Sequence, residues 1–188
     1  MTDHQFINNY INDFSELLKP DAASVDSLIK VRDLLLRIKS NNNKVLIFGN
    51  GGSAGIASHF SVDLTKNAKI RCDNYNEAGI ITCFANDYGF ERWAEKAVDF
   101  YGDTGDLLIV ISSSGQSENM LNAVDAARNG NFDSVITFTG FSEHNPLRQK
   151  GDVNLWVNNK SYNFVENVHQ IWLLAIVDLV IGKREYSA

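Results

Sequence analysis

The sequence predicts an α/β protein with a doubly wound parallel sheet. Its apolar residues gather in short continuous runs, which are typical of strands buried on both faces of such a sheet. Helical patterns lie between most of these runs, and this alternation favours a parallel sheet covered by helices. Neither a linker nor an internal repeat divides the 188 residues, so we expect one domain over residues 1–188.

Two helices are predicted ahead of the sheet, in residues 1–40. In residues 6–18, apolar side chains recur every three or four positions, which is the period of one helix face. The same pattern resumes after Pro20, in residues 25–38. The remaining residues 41–188 are expected to form the α/β core and a terminal helix.

The expected strands are the apolar runs at residues 44–49, 78–84, 106–112, 134–140 and 153–158. Helical patterns are found at residues 54–66, 90–101 and 117–130. A last helix, over residues 164–181, is apolar on nearly every side. Such a helix must be buried, either in the core or at a subunit interface.

Charge and composition disfavour several kinds of partner. The chain has 23 acidic and 17 basic residues, and phosphate backbones attract basic surfaces rather than acidic ones. The two cysteines, Cys72 and Cys83, lack metal or disulfide spacing and fit a cytoplasmic protein. There is no signal-peptide pattern, and the apolar stretch at residues 171–181 is shorter than the roughly 20 residues of a membrane span. We therefore expect a cytoplasmic protein with no nucleic-acid or membrane partner.

Two loops at the carboxyl ends of predicted strands have the composition of ligand loops. Residues 49–53 read GNGGS; the glycines let the backbone approach a ligand, and Ser53 is expected to cap a helix starting at Ala54. Residues 112–117 read SSSGQS, with four hydroxyls ahead of a helix whose first N–H groups attract anions. Ligands of such sheets bind at this edge, so the loops predict a phosphate site without Arg or Lys.

Other interpretations of these loops remain open. Both could be ordinary strand-to-helix turns with serine caps. The first loop contains G-x-G with Ala54 in the third glycine position, which tolerates alanine, so a dinucleotide is a second candidate ligand. Neither loop has the Gly-Lys-Ser/Thr of a Walker A motif.

Taken together, the two loops resemble those of the SIS (sugar isomerase) domain family, and most closely its phosphoheptose isomerase branch. The resemblance covers nearly the whole chain. It is carried by GNGGSA and a following HF at 49–60, ANDYGFE at 85–91, GDLLIVISSSGQSENML at 105–121, VITFTG at 135–140 and VENVHQ at 165–170. It implies a flavodoxin-like five-stranded parallel sheet. It also implies a homotetramer with active sites near subunit interfaces, in which the helical pair of residues 1–40 serves in oligomerisation.

The resemblance also implies a set of substrate-binding residues. The phosphate of a sugar phosphate would lie on the serine loop, and the first loop would face the sugar. The implied residues are Asn50, Gly51, Gly52, Ser53, Asp87, Ser112, Ser113, Ser114 and Ser117.

Aldose–ketose isomerisation needs a base and an acid, and a metal can polarise the carbonyl. In this branch a His and a Glu four residues later bind zinc from one helix. A Gln and a His eight residues later do so from the last helix. His59 keeps the first position, Asp63 holds the Glu position and Glu166 holds the Gln position. We therefore expect His59, Asp63 and Glu166 to be catalytic and to bind Zn²⁺.

Leu174 stands at the position of the last histidine, and leucine can neither ligate a metal nor transfer a proton. Asn163 replaces an aspartate of the branch. His169 forms an i, i+3 pair with Glu166, a spacing that can bind metal, but a packed helix histidine is the favoured interpretation.

The expected function is conversion of sedoheptulose 7-phosphate to an aldoheptose 7-phosphate for lipopolysaccharide or capsule synthesis. A related version acts on another sugar phosphate and uses Asp63 with Glu166 as the acid and base. The alternative is a non-catalytic adaptor of the kind that binds the bacterial replication initiator, which the loss at Leu174 resembles. A sugar-phosphate-sensing regulatory domain ranks last, because 40 leading residues leave no room for a DNA-binding domain.

Overall fold

Five parallel strands form one sheet at the centre of the structure, a computed structural model that describes residues 1–184. The strands are β1 (Val45–Gly49), β2 (Cys72–Asp73), β3 (Leu107–Ser112), β4 (Ser134–Thr139) and β5 (Val153–Trp156). Their order is β2-β1-β3-β4-β5, so the direction of winding reverses between β1 and β3. Gly49 of β1 pairs with Ile111 of β3, so the two glycine- and serine-rich loops lie side by side. They lie where the winding reverses, which is the usual ligand-binding position in such sheets.

Seven α-helices surround the sheet in residues 1–184. They are α1 (Asp3–Leu17), α2 (Ala22–Ser40), α3 (Gly52–Lys66), α4 (Ala78–Tyr88), α5 (Trp93–Tyr101), α6 (Glu118–Asn129) and α7 (Tyr162–Ile181), with a 3₁₀ turn at Phe90–Arg92. The doubly wound α/β prediction is confirmed, including the two leading helices and the long last one. The Thr2 side chain accepts a hydrogen bond from the Gln5 amide, and the Gln5 side chain accepts one from the Thr2 amide, which caps α1. The Asp21 side chain caps α2. Local sequence therefore determines where both helices begin.

The predicted strand at residues 78–84 is wrong, because this run lies within helix α4. The second strand is instead β2, which pairs with β1 only through Cys72 and Asp73 at the edge of the sheet. A short apolar run does not distinguish a buried strand from a helix by its pattern. Helix α4 buries none of its residues within the chain. The apolar run that suggested a buried strand therefore belongs to a helix near the surface.

The core has two layers, one on each face of the sheet. Val45 and Ile47 of β1 pack on the side of α2, α3 and α7, whereas Leu46 and Phe48 pack on the side of α5 and α6. Every residue of β1, β3 and β4 is buried, as continuous apolar runs in a parallel sheet require.

Helix α7 is the main helix of the first layer. Its 20 residues are longer than the apolar stretch singled out in the sequence and satisfy the length and hydropathy of a membrane span. Eight of them are buried against α2, α3 and the sheet, among them Val165, Val168 and Trp172. The predicted burial is therefore confirmed for one face of this helix, while Ile171 and Leu179 on its other side are exposed in the single chain.

Candidate active site

The loop after β1 turns into α3 two residues earlier than predicted. Gly51 is the N-cap with a φ of 55°, a conformation that favours glycine, and α3 begins at Gly52. The Ser53 side chain therefore does not cap a helix starting at Ala54, and that prediction is wrong. Ser53 instead lies within the first turn, buried, with its side chain on the wall of the cavity described below.

The loop after β3 is a tight turn held by its own serines. The Ser112 and Ser117 hydroxyls lie 3.2 Å apart, and the Gln116 amide donates to Ser114 Oγ at 3.3 Å. Gly115 has a φ of 65°, and a Cβ on it would stand 2.0 Å from Asn145 Oδ1. Only glycine fits this close approach, which holds the turn against Asn145.

A cavity of about 220 Å³ lies between the two loops and the start of α7. Its lining residues are Asn50, Ser53, Ile111, Ser112, Ser113, Ser114, Ser117, Tyr162 and Glu166. The structure thus brings together the predicted serines, Asn50 and Ser53 with one of the predicted catalytic residues. Tyr162 was missed, since a tyrosine at the start of a helix carries no signal of its own.

Ser113 gives the cavity the character of an anion site. Its Oγ is buried and has no hydrogen-bond partner within the described residues 1–184. Buried polar atoms in native proteins nearly always have a partner, so this hydroxyl is free to bond to a ligand once its side chain turns toward the cavity. The N-terminus of α6 borders the same cavity through Ser117, its N-cap. Its partial positive charge favours a bound anion.

Glu166 enters the cavity from the first turns of α7. A Cβ on Gly52 would lie 2.3 Å from Glu166 Oε2, so the carboxylate is packed against the backbone at the start of α3. Partial burial raises the pKa of Glu166, because desolvation disfavours the charged form. A carboxyl with a raised pKa exchanges protons more readily near neutral pH, which suits acid–base chemistry.

His59 and Asp63 lie one turn apart on α3 but outside the lining of this cavity. His59 Nε2 is 3.4 Å from Asp63 Oδ2, and His59 Nδ1 is 2.7 Å from Gln170 Nε2 on α7. Six residues separate His59 from Ser53, which is about 9 Å along the helix axis. The contact with Gln170 was not predicted, because it depends on how α7 crosses α3.

The predicted zinc ligands do not come together within a single chain. Within residues 1–184 no group of three His, Cys, Asp or Glu side chains is placed to hold a metal ion. His59 and Asp63 form a pair, whereas Glu166 lies in the cavity beside Gly52. This donor set falls short of the three or four protein ligands that zinc sites use.

The other singled-out residues lie away from the cavity. Asp87 is exposed on α4, where its carboxylate accepts from Asn86 Nδ2 at 2.8 Å. Leu174 is half-buried on α7, two turns beyond Glu166. His169 is fully buried: its Nε2–H donates to the Thr139 carbonyl at 3.1 Å, and burial lowers its pKa to about 4. The packed interpretation of His169 is confirmed.

Comparisons with known proteins agree with this fold. Residues 9–140 match the model of the SIS domain family. The phosphoheptose isomerase of Bordetella avium is 33% identical over 166 residues, which are 81% of this chain and 83% of that protein.

Two solved structures share the whole architecture. The phosphoheptose isomerase of Neisseria gonorrhoeae has a TM-score of 0.87 and 28% identity, covering 96% of this chain and 100% of that one. A phosphoheptose isomerase from Francisella tularensis has a TM-score of 0.86 and 27% identity, with coverage of 97% and 100%. The chain therefore belongs to the SIS domain family and, within it, to the phosphoheptose isomerases.

Proposed function

We propose that this protein is a sugar-phosphate isomerase that converts sedoheptulose 7-phosphate to an aldoheptose 7-phosphate. The observation that carries the proposal is one cavity holding both an anion cradle and a carboxyl of raised pKa. The cradle, with its orphan Ser113 hydroxyl, fits the phosphate, and Glu166 stands where the sugar would extend. Apart from Leu174, nothing described above favours the non-catalytic adaptor.

The serine loop binds the phosphate through dipoles rather than through charge. No cationic side chain is among the described residues that line the cavity. Hydroxyl donors from Ser112, Ser113, Ser114 and Ser117 would combine with the N-terminus of α6 to hold the phosphate oxygens. This arrangement fixes the phosphate end and leaves the sugar carbons facing Asn50, Ser53 and Glu166.

Glu166 is the proposed proton carrier. The ionised carboxylate takes a proton from C1 of the ketose while the C1 hydroxyl proton passes to the adjacent C2 oxygen, which gives an enediolate. The protonated carboxyl then returns its proton to C2 as C1 becomes the aldehyde. One carboxyl can perform both carbon transfers in turn, because no net proton is gained or lost.

His59 and Asp63 are proposed to assist these transfers from α3. Their imidazole and carboxylate lie beyond the cavity wall of this chain, so the proposal requires a site near a subunit interface, as the resemblance implies. The Asp63→Asn variant tests this proposal. Loss of turnover supports a catalytic role for Asp63, whereas retained turnover shows that Glu166 transfers the proton without help from Asp63.

Turnover itself tests the proposed function. Purified protein is incubated with sedoheptulose 7-phosphate, with and without added Zn²⁺, and the aldose product is followed over time. We expect aldose to appear and to depend on Glu166. Absence of product under every metal condition overturns the isomerase proposal, while binding of the substrate without turnover would favour the non-catalytic alternative.

Zinc remains a proposal that rests on the donor chemistry of His59 and Asp63. A zinc ion held by these two side chains needs further ligands. Within the described residues of one chain, no third His, Cys, Asp or Glu lies beside His59 and Asp63. Elemental analysis of the purified protein, wild type against His59→Ala, decides the question. Zinc that is bound by the wild type and lost in the variant supports the site, and a metal-free wild type overturns it.

A homo-oligomer, specifically a tetramer, is proposed from the exposure of two helices. Helix α1 exposes Phe6, Ile7 and Ile11, each more than half accessible, and helix α4 buries no residue. Large exposed apolar surfaces indicate interaction sites. Light scattering at micromolar concentration tests this, and a monomer would contradict it.

A cytoplasmic location and a pathway to lipopolysaccharide or capsule heptose are proposed from composition and resemblance.

A further inference from the structure

Two asparagine side chains join the two ligand loops. Asn50 Nδ2 donates to Asn119 Oδ1 at 3.0 Å, and Asn119 Nδ2 donates to Asn50 Oδ1 at 2.9 Å. Asn50 follows β1, and Asn119 lies in the first turn of α6, directly after the serine loop. The bonds are reciprocal, so each amide fixes the rotation of the other.

The two partners have different surroundings. Asn119 is only 3% exposed and is not part of the cavity lining, whereas Asn50 is half-buried and lines the cavity. The Asn119 side chain therefore reaches a ligand only through Asn50.

The pairing leaves Asn50 with one unused N–H and one unused lone pair. A sugar hydroxyl is both donor and acceptor, so it can bond to either of these positions. An unpaired amide would instead rotate freely, and ordering it on ligand binding would cost conformational entropy.

We propose that Asn119 is a positioning residue that orients the Asn50 amide toward a sugar hydroxyl and so sets the selectivity for sugar phosphate over bare phosphate. The proposal rests on the proposed function, since it takes the serine loop as the phosphate site and Asn50 as part of the sugar site. The Asn119 side chain is not part of the phosphate cradle, because Asn119 does not line the cavity.

Calorimetric affinities for inorganic phosphate and for sedoheptulose 7-phosphate test this role without requiring turnover. In Asn119→Ala we expect sugar-phosphate affinity to fall about tenfold, the size of losing one or two oriented hydrogen bonds, and phosphate affinity to change less than about twofold. Asn119→Ser retains one hydrogen-bonding atom and should show a smaller loss of the same kind. It also provides a second variant if the alanine form does not fold.

Asn122→Ala is the matched control. Asn122 lies one turn further along α6, and its amide donates to the Glu91 carbonyl at 2.9 Å, outside the cavity. We expect it to leave both affinities at the wild-type values.

A double-mutant cycle with Asn50→Ala separates positioning from general support of the fold. If Asn119 acts through Asn50, Asn119→Ala adds no further loss in the Asn50→Ala background. Equal weakening of both ligands by Asn119→Ala, or additive losses in the cycle, overturns the proposal. A wild type that binds sugar phosphate but never isomerises it contradicts the proposed function alone, because the selectivity ratio remains measurable.

Discussion

The carboxylate of Glu166 is seated against the backbone of Gly52. A Cβ on Gly52 would meet Oε2 at 2.3 Å and Cδ at 2.7 Å, closer than real Cβ contacts. The first residue of α3 therefore fixes where a carboxyl from α7 stands in the cavity. This contact joins the glycine-rich loop to the proposed proton carrier, although 114 positions separate the two residues in the chain (166 minus 52).

Gly52→Ala should displace the Glu166 side chain from the cavity and lower kcat. The side chain can rotate away, so we expect the protein to fold while turnover drops by about tenfold or more, as misplaced catalytic groups typically cause. Gly55→Ala is the control, because a Cβ there meets nothing within 4 Å on the same helix. It should keep full activity and raise the free energy of unfolding by about 0.5–1 kcal/mol. Equal kcat in the two variants would contradict the proposed importance of the contact.

Ser113→Ala should weaken phosphate binding without loss of stability. The Ser113 hydroxyl has no partner in the protein, so its removal breaks no internal hydrogen bond. We expect the Kd for inorganic phosphate to rise about fivefold, equivalent to about 1 kcal/mol. Thermal unfolding should not shift downward. Ser142→Ala, on an exposed serine outside the cavity, serves as the control. An unchanged phosphate Kd in Ser113→Ala would remove Ser113 from the anion cradle.

Glu166→Gln should abolish most turnover while leaving phosphate affinity in place. The amide keeps the shape of the side chain but cannot carry the proton, and a general acid–base group typically contributes about 10²–10⁴-fold. Single-turnover assays with sedoheptulose 7-phosphate measure the loss, and calorimetry with inorganic phosphate checks the cradle. Turnover within a factor of a few of the wild type would show that another group transfers the proton.

His169 should make the protein sensitive to mild acid. Its pKa falls from 6.5 to about 4 on burial, so below pH 6.5 the unfolded chain binds a proton that the native state refuses. The free energy of unfolding should therefore decrease as the pH drops from 6.5 toward 4, by at most about 3 kcal/mol from this group.

Urea unfolding at a series of pH values measures this effect. His169→Gln lacks the titrating ring and should show a shallower decline in this pH range than the wild type. His144→Gln, at an exposed position, should follow the wild-type curve. Parallel curves for the wild type and His169→Gln would show that His169 does not carry the acid sensitivity.

Local sequence patterns were sufficient to predict at which edge of the sheet the two ligand loops lie. The carboxyl ends of parallel strands share one edge, so pattern alone places GNGGS and SSSGQS at that edge, and the resemblance predicts that they form one site. Patterns failed at residues 78–84, where a short apolar run reads the same in a strand and in helix α4. They also misplaced the start of α3, because Gly51 at positive φ turns the chain before Ser53.

The sequence by itself determined the α/β class, the two helices before the sheet, the serine cradle and the carboxylates available for catalysis. These depend on the spacing of apolar residues and on turn residues, which act over a few positions. Only the tertiary structure decided that Glu166 enters the cavity while Asp63 and His59 stay outside it. The same holds for the contacts of His59 with Gln170 and of Asn50 with Asn119. The physical reason is that side chains on different helices meet according to how those helices pack on the sheet. That packing is set jointly by many core residues and not by any local spacing.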